Sequence, residues 1–529
     1  MMDIVYCGNC SIDSIRRNED TSKSQGGSAL NSSLISSFSS LKIGIVSTIG
    51  NDFDSAVFKD IIFLGDVVNQ PSNHFIIDED YDICQLNSNT YLPTPQTNNI
   101  KTKHLHISFR EGVDVEKILS SNMQYETLSI DVMKYSLESF LPLITKYKDR
   151  INLIFCNYQE YQMLQNIKEL YSKLIITNEE KPVIYLGEQM QSFDVPRVEF
   201  PIKSTTGAGD SFIGGFLMEW VQGGEVERCV ATGLAASRLC LQVVGNSMID
   251  CNEFEAERAK IISSIESYKI PKTIIVIGNS CAGKSTFANY LKSIYPIYDD
   301  IDDYPPLKEV FDLDDSLRDC FNKEELVSAK NKYKYIKTIV EEYIKCFPNI
   351  NYYSSKSSGN GHNIERAILW DLILEYAVRN MKKPYNIVQF SRGQDRSYQE
   401  EFGDNVYERS INIILDNLPS IDEILIVNLK SKLEQRKYRN LERHRLGGHF
   451  VAEETMDSVY KEDAHFASLS NIPVYNIENV NQFENEIEKE QYFLYNIRQI
   501  VLKYNKGEIN YGFNEATETS VSKQVRQRI

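Results

Sequence analysis

Histidine and tryptophan are scarce in this chain, with 7 and 2 among 529 residues, and the 10 cysteines are scattered. No HExxH motif occurs, so a metal site built on clustered imidazoles is not expected. Scattered cysteines fit reduced thiols in a cytosolic compartment better than a disulfide framework. The one CxxC, CGNC at Cys7 to Cys10, has neither a helix start nor a second pair at matching spacing, and reads as buried strand-end cysteines. Positive charge is in deficit: 57 Lys and Arg against 74 Asp and Glu leave a net charge of −17, which argues against general affinity for nucleic acid or anionic membrane. Long apolar runs are absent. The longest, such as TIIVIG near Ile275, are strand-sized, and MMDIVYCGN has no basic leader. A soluble cytoplasmic protein without signal or anchor is expected.

What is present is regular alternation. Apolar runs IVYCG, KIGIVSTIG, HFIID, ETLSIDV, NLIFCN and PVIYLG alternate with segments of helical period such as LESFLPLITKYKD and EYQMLQNIKELYSKL, the pattern of an α/β domain with a largely parallel sheet. A charged helical segment, FEAERAKIISSIESYK, runs up to Pro271, and a strand, TIIVIG, follows at once. This places a domain boundary at 265–271, with domains 1–267 and 268–511 and a polar tail at 512–529. The second α/β unit has candidate strands TIIVIG, PIYDDID, YNIVQFS, DEILIVNL and IPVYNI. A long helical insertion is expected between Leu307 and Met381, broken by a mobile loop at NYYSSKSSGNGHN.

Each half carries a glycine-rich loop. In KSTTGAGDSF, Lys203 to Phe212, the small residues Gly207, Ala208 and Gly209 open a helix whose first-turn N–H groups and dipole make an anion hole. Asp210 cannot be there to hold a phosphate, because two negative charges repel. It is better placed as a general base, taking the proton of a hydroxyl that attacks the phosphate. The plain alternative is a helix-capping aspartate in a glycine turn.

TTGAGDSFIGGF closely resembles the C-terminal signature of the ribokinase-like, or PfkB, carbohydrate kinases. The resemblance extends upstream to GGSALN at Gly26 to Asn31, to NCSID with Asp13 read as the end of a first strand, to TIGNDF around Asp52, and to an NxxE motif at Asn157 to Glu160. It implies a central sheet flanked by helices with a small β lid, here roughly His74 to Tyr91. It also implies Asp13, Gly26, Gly27 and Asn31 as substrate contacts, Asn157 and Glu160 near magnesium and phosphate, and Asp210 as base. MgATP and a sugar or related metabolite follow as ligands, and a homodimer paired through the lid as an assembly. The compact lid looks more like those of fructosamine and small-sugar kinases than of adenosine kinases. Two departures stand out. Ser204 occupies a position where the family has Asp, and Tyr185 and Met190 replace Thr and Gly of a nucleotide segment. They favour, as an alternative, a sugar-binding sensor without turnover.

GNSCAGKS, Gly278 to Ser285, fits the phosphate-binding loop GxxxxGK[ST] after a strand and before the helix STFANYLKSIY. There the loop amides cradle the β-phosphate, Lys284 bridges two phosphates, and the Ser285 hydroxyl takes Mg²⁺, with Thr286 following in the first turn. Neither a motor-type acidic strand end nor an NKxD guanine motif accompanies it. YDDIDDYPP resembles the acidic strand end of P-loop metabolite and nucleoside kinases, with Asp302 as candidate base and Asp300 as rival. Arg436, Arg439, Arg443 and Arg445 lie on a helical stretch suited to closing over phosphates. GGHFVAEET after it resembles a segment of zeta-toxin-like kinases, and Arg392 in SRGQD is a candidate phosphate contact. The combined expectation is an α/β protein in which a ribokinase-like sugar kinase with a small β lid precedes a P-loop kinase with a helical insertion. A nucleic-acid end-processing kinase is a rival that the acidic balance disfavours.

Overall fold

The computed structural model of the protein describes residues 1–303, apart from 18–19, 82, 88–90, 98, 135–136, 166, 188 and 246–247. Beyond them it describes 354–356, 362–364, 367–381, 383–391, 406–418, 423–446, 451, 453–458, 460–461, 472–479, 483 and 485–509. The chain divides into two compact units, Met1–Lys269 and Ile270–Ile529. Among the described residues no helix is long and apolar enough to cross a membrane.

The first unit is built on a 10-stranded sheet. Its parallel body runs Leu174–Asn178, Leu153–Asn157, Gln124–Val132, Lys101–Phe109, Met2–Cys7, Ile43–Val46 and Ile62–Phe63. Lys181–Leu186, Met190–Phe193 and Ser267–Lys269 extend one edge in antiparallel pairing. Strands buried on both faces read as continuous apolar runs, which is why most were visible in the sequence. The strand Lys101–Phe109 was not: KTKHLHISF begins with alternating charge and places two histidines in the core. The two form an HxH pair on one face of the strand. His104 Nε2 and His106 Nδ1 lie 2.7 and 2.8 Å from Ser129 Oγ, and burial pushes both imidazoles below their ordinary range, His104 to about 3. They are neutral core groups. Cys7 and Cys10 are also fully buried, and burial raises both thiols.

HFIID belongs to a separate sheet. Asp20–Gly26, Ser11–Arg17, Asn73–Asp78 and Ile83–Leu86 form a 4-stranded lid. Asp13 therefore sits within a lid strand instead of ending the first strand: the chain leaves the main sheet after Cys7, and Asp13 pairs with Ser24 and Phe75. The segment EYQMLQNIKELYSKL is shorter in helix than its period suggests. Helix stops at Leu164, a 3-10 stretch covers Lys168–Lys173, and Leu174 opens a strand.

Helices Ser28–Ser36 and Ala208–Trp220 pack closely because their facing residues are small. Ser32 Oγ donates to the Asp210 carbonyl at 2.9 Å and Ser36 Oγ to the Gly214 carbonyl at 2.8 Å. Phe155 meets Phe216 edge to face at 5.3 Å, seating the longer helix on the sheet.

The second unit holds a 5-stranded parallel sheet in the order Asp299–Asp300, Asn386–Phe390, Thr273–Ile277, Ile424–Lys430, Val474–Glu478. Most of the expected helical insertion, and the tail after Gly512, lie outside the described residues. The expected mobile loop NYYSSKSSGNGHN contains instead an antiparallel pair, Ser354–Lys356 with His362–Ile364.

A Cβ at Gly214 would stand 2.2 Å from the Ser32 carbonyl oxygen. Gly214→Val is expected to destabilise the first unit by about 1–3 kcal/mol through overpacking, and to push Asp210 away from Asn31. Chemical denaturation beside an activity assay checks both effects; a variant with unchanged midpoint and rate would contradict this packing account.

Candidate active site

Ligand sites in parallel α/β sheets lie beyond the carboxyl ends of the strands, and there this chain gathers charged and polar side chains. Arg110 follows the strand Lys101–Phe109, Asp131 lies near the end of Gln124–Val132, and Asn157 ends Leu153–Asn157. Asp210 enters from the first turn of Ala208–Trp220, whose N-cap, Gly207, has a left-handed φ of 83°.

One Arg110 nitrogen donates to Asp131 at 2.7 Å and to Asp210 at 2.9 Å. The other Asp210 oxygen accepts from Asn31 Nδ2 at 3.1 Å. Burial works against the Arg110 charge, but the carboxylates of Asp210 and Asp131 hold it protonated. Arg110 is the residue that sequence reading missed; its signal was only that it ends a strand.

Asp13 reaches the same space from the lid and accepts from Ser11 Oγ at 2.8 Å. Burial raises its carboxyl to about 6, against the Ser11 hydrogen bond and with help from the Asp210 charge. A Cβ at Gly26 would lie 2.3 Å from an Asp13 oxygen, and Gly27, at φ 99°, abuts the Asn9 carbonyl. The diglycine thus lets the backbone close on Asp13 while starting the helix that carries Asn31. Nothing within 4 Å would meet a Cβ on Gly209, so open space faces the small-residue turn. Asp13, Gly26, Gly27, Asn31 and Asp210 therefore converge with Gly207, Ala208 and Gly209.

Asn157 and Glu160 form a capping box on the helix Tyr158–Leu164. Glu160 accepts from the Asn157 amide at 2.7 Å and from the Lys134 amide at 3.1 Å. Burial, then the Asp131 charge, raises its carboxyl to about 7. Carboxylates that raise one another in a buried site suit a divalent cation, whose charge removes the repulsion. Asp52 is placed elsewhere: it binds His74 Nε2 at 2.9 Å and the Ser72 amide at 2.7 Å, tying its loop to a lid strand. Of the departing residues, Met190 is buried in the strand Met190–Phe193, next to the edge strand Ser267–Lys269, and Tyr185 packs beside the core.

In the second unit Gly278 follows the strand Thr273–Ile277, and the loop ends at Gly283, N-cap of the helix Lys284–Ile294. Lys284 Nζ donates to the carbonyls of Gly278 and Asn279 at 3.0 and 3.1 Å, arching back over the loop. Burial lowers its ammonium to about 8, against the attraction of Asp302. Ser285 Oγ donates to Gln389 at 3.1 Å, with Thr286 next in the helix. Asp300 is committed: it is buried, accepts both short contacts of Gln389 Nε2 at 3.0 and 3.1 Å, and pairs with Lys292 at 3.2 Å. Asp302 is partly exposed. Arg439 reaches the Cys281 carbonyl and Asn479, and Arg443 donates to Asn440 while its Nε is buried without a hydrogen bond. Arg436 is no phosphate clamp. It is 1% exposed and held by the carbonyls of Ser431, Tyr460 and Lys461. Arg445 pairs with Glu442 on the surface, and Arg392 lies outside the described residues.

An acid at a helix N-terminus, beneath a small lid carrying a second acid, is a frame for phosphoryl transfer to a hydroxyl. Residues 145–251 match the profile described as pfkB family carbohydrate kinase, and the N-terminal region is a PfkB, ribokinase-like carbohydrate kinase domain; the protein is a kinase. A cytidine kinase of Thermococcus kodakarensis is 23% identical over 275 residues, 46% of this chain and 98% of that protein. A nucleoside kinase of Methanocaldococcus jannaschii is 27% identical over 150 residues, 26% of this chain and 46% of that protein. The crystal structure of the Methanocaldococcus jannaschii nucleoside kinase, described as an archaeal member of the ribokinase family, aligns with a TM-score of 0.41 at 20% identity, covering 49% of this chain and 99% of that one.

Glu160 gives a pH prediction. Its folded value of about 7 lies above the ordinary 4.5, so the folded state holds the extra proton. The associated stability is full below about pH 4.5 and is lost as pH rises through 7. Between pH 6 and 8 the parent should lose about 1 kcal/mol more stability than Glu160→Gln. Urea titrations of both proteins without magnesium would measure it, and parallel pH dependences would contradict it.

Proposed function

We propose that the first unit transfers the γ-phosphoryl group of ATP to a hydroxyl of a nucleoside or sugar, with Asp210 as general base. The observation that carries this is the placement of Asp210, buried between Asn31 and Arg110 in the first turn of its helix, facing Asp13 on the lid. The names of the curated relatives favour a nucleoside over the small sugar that the compact lid suggested. Asp13 and Asn31 bind and orient the acceptor, and Gly26 and Gly27 allow its close approach. Asp210 takes the hydroxyl proton as the new O–P bond forms and the bond to the β-phosphate oxygen breaks, leaving ADP. The amides of Gly207, Ala208 and Gly209 offset the charge that builds on the transferred group. Arg110 neutralises Asp210 and Asp131 and is close enough to meet the same charge. Glu160 and Asn157 would hold Mg²⁺, which when bound with ATP supplies charge neutralisation at the phosphates.

The second unit we read as a P-loop phosphotransferase acting on a small metabolite. Gly278, Gly283, Lys284, Ser285 and Thr286 form its phosphate loop, with Ser285 toward Mg²⁺, Asp302 as base, and Arg439 and Arg443, with Arg392, as phosphate contacts. The engagement of Asp300 by Gln389 and Lys292 supports Asp302 over its rival. The sensor alternative rests on Ser204, Tyr185 and Met190. Two of these are accounted for by packing, and Asp13, Asn31 and Asp210 keep a complete acid and acceptor arrangement.

With ATP and a panel of nucleosides, pentoses and hexoses read by mass spectrometry, Asp210→Asn should lower transfer to one product by about 10²–10⁴-fold. Lys284→Ala should abolish a different product. Loss of all transfer in Lys284→Ala with none in Asp210→Asn would overturn the first assignment and favour the sensor.

A further inference from the structure

The loop that leads into the anion hole directs four donors at one acceptor far away in the sequence. The amides of Thr205 and Thr206 and the hydroxyls of Ser204 and Thr206 all point at one oxygen of Glu79, at 2.8, 2.8, 2.6 and 2.6 Å. Glu79 lies 125 residues away from Ser204 in sequence, directly after the lid strand Asn73–Asp78. Its amide donates to the Arg16 carbonyl at 3.0 Å, and its second oxygen pairs with Arg17 at 3.2 Å, both partners ending the lid strand that carries Asp13. The side chain is 4% exposed. Burial opposes its charge, but the hydrogen bonds from Ser204 and Thr206 hold the carboxyl below its ordinary range.

This constellation is more than a surface ion pair. Burying a carboxylate is unfavourable unless its lone pairs are filled, and here they are filled by the turn just ahead of Gly207. We infer that Glu79 is a positioning residue that couples the lid to the phosphate site: the lid seats Asp13 over the acceptor and, through Glu79, shapes the turn that presents the Gly207–Asp210 amides. Phosphate-site order then depends on lid docking, so an acceptor that seats the lid also readies the site for transfer. Ser204 fits this account. Its hydroxyl is 3.2 Å from the Thr206 amide, so an aspartate at this position could hold the turn from within the loop, as Asx residues do. Serine leaves that task to the lid.

The inference rests on the kinase reading of the first unit, and its test has an arm independent of that reading. Glu79→Ala, Glu79→Gln and the double variant Glu79→Ala/Ser204→Asp are compared with the parent in the full chain. Hydrogen exchange of the peptide covering 203–212 is followed without ligand, and steady-state rates are taken with MgATP and cytidine, adenosine, uridine, guanosine or inosine. In Glu79→Ala the Thr205 and Thr206 amides should exchange at least tenfold faster, and kcat should fall tenfold or more with acceptor KM within threefold. Glu79→Gln, which keeps an acceptor oxygen, should lie between. Ser204→Asp in the alanine background should restore both protection and kcat to within threefold. Unchanged protection in Glu79→Ala, or protection restored by Ser204→Asp without recovery of kcat, overturns the inference. A parent inert toward every nucleoside counts against the nucleoside reading, and the exchange arm then decides the role of Glu79.

Discussion

The first unit is organised around one guanidinium that serves two buried carboxylates. Arg110 meets Asp131 and Asp210 together, while Asp13 and Glu160 stand nearby with carboxyls raised by burial and by neighbouring acids. One cation cannot balance so many acids. Raised carboxyls and amide donors offset part of the remainder, and on the proposed reading a metal-complexed ligand would supply the missing positive charge. A site that is short of cations in its free form is predisposed to bind a metal-complexed polyanion, because ligand binding relieves repulsion already present. Removing Arg110 would leave the acids uncompensated, a loss larger than the net worth of the ion pairs themselves.

The fold meets this requirement by drawing the charges from different elements. Strand ends supply Arg110, Asp131 and Asn157, one helix start supplies Asp210, another helix supplies Asn31, and the lid supplies Asp13 and Glu79. Close packing of serine-rich and glycine-rich helix faces fixes Asp210 against Asn31 to within hydrogen-bond distance. Positional accuracy here comes from serine hydroxyls bonded directly to backbone carbonyls and from the close backbone approach at Gly214. The lid carries Asp13 on an interior strand and Glu79 directly after the next one, so it contributes to the electrostatics of the site.

Legibility in the sequence followed the locality of the signal. TTGAGDSF announced Asp210 and the anion-hole turn because all its parts lie within one turn of helix, and GGSALN announced the approach to Asp13 for the same reason. Most central strands were visible as apolar runs. KTKHLHISF was not, since its histidines are neutral core groups that look polar in composition, and with that strand went Arg110. Asp13 was identified as a site residue but assigned to the wrong strand, because nothing in NCSID marks the exit from the main sheet. Glu79 could not have been found: its partners are far away in sequence, and an acid in the run Asp78-Glu79-Asp80 resembles any solvated strand end.

The two glycine-rich loops illustrate how similar composition leads to different electrostatics. At Gly207–Asp210 the helix start carries a carboxylate, so in the proposed reading phosphate affinity would come from the amides, from Arg110 and from a bound cation. At Gly278–Ser285 the helix start carries Lys284, which in the free protein folds onto the carbonyls of Gly278 and Asn279. Burial already weakens the hold of Lys284 on its proton, and a phosphate would offer it a full charge in place of two carbonyl dipoles. The same logic separates the neighbouring acids. Asp300 is satisfied by Gln389 and Lys292, whereas Asp302 is partly exposed and attracts Lys284, which is the basis on which we propose Asp302 over Asp300 as the base.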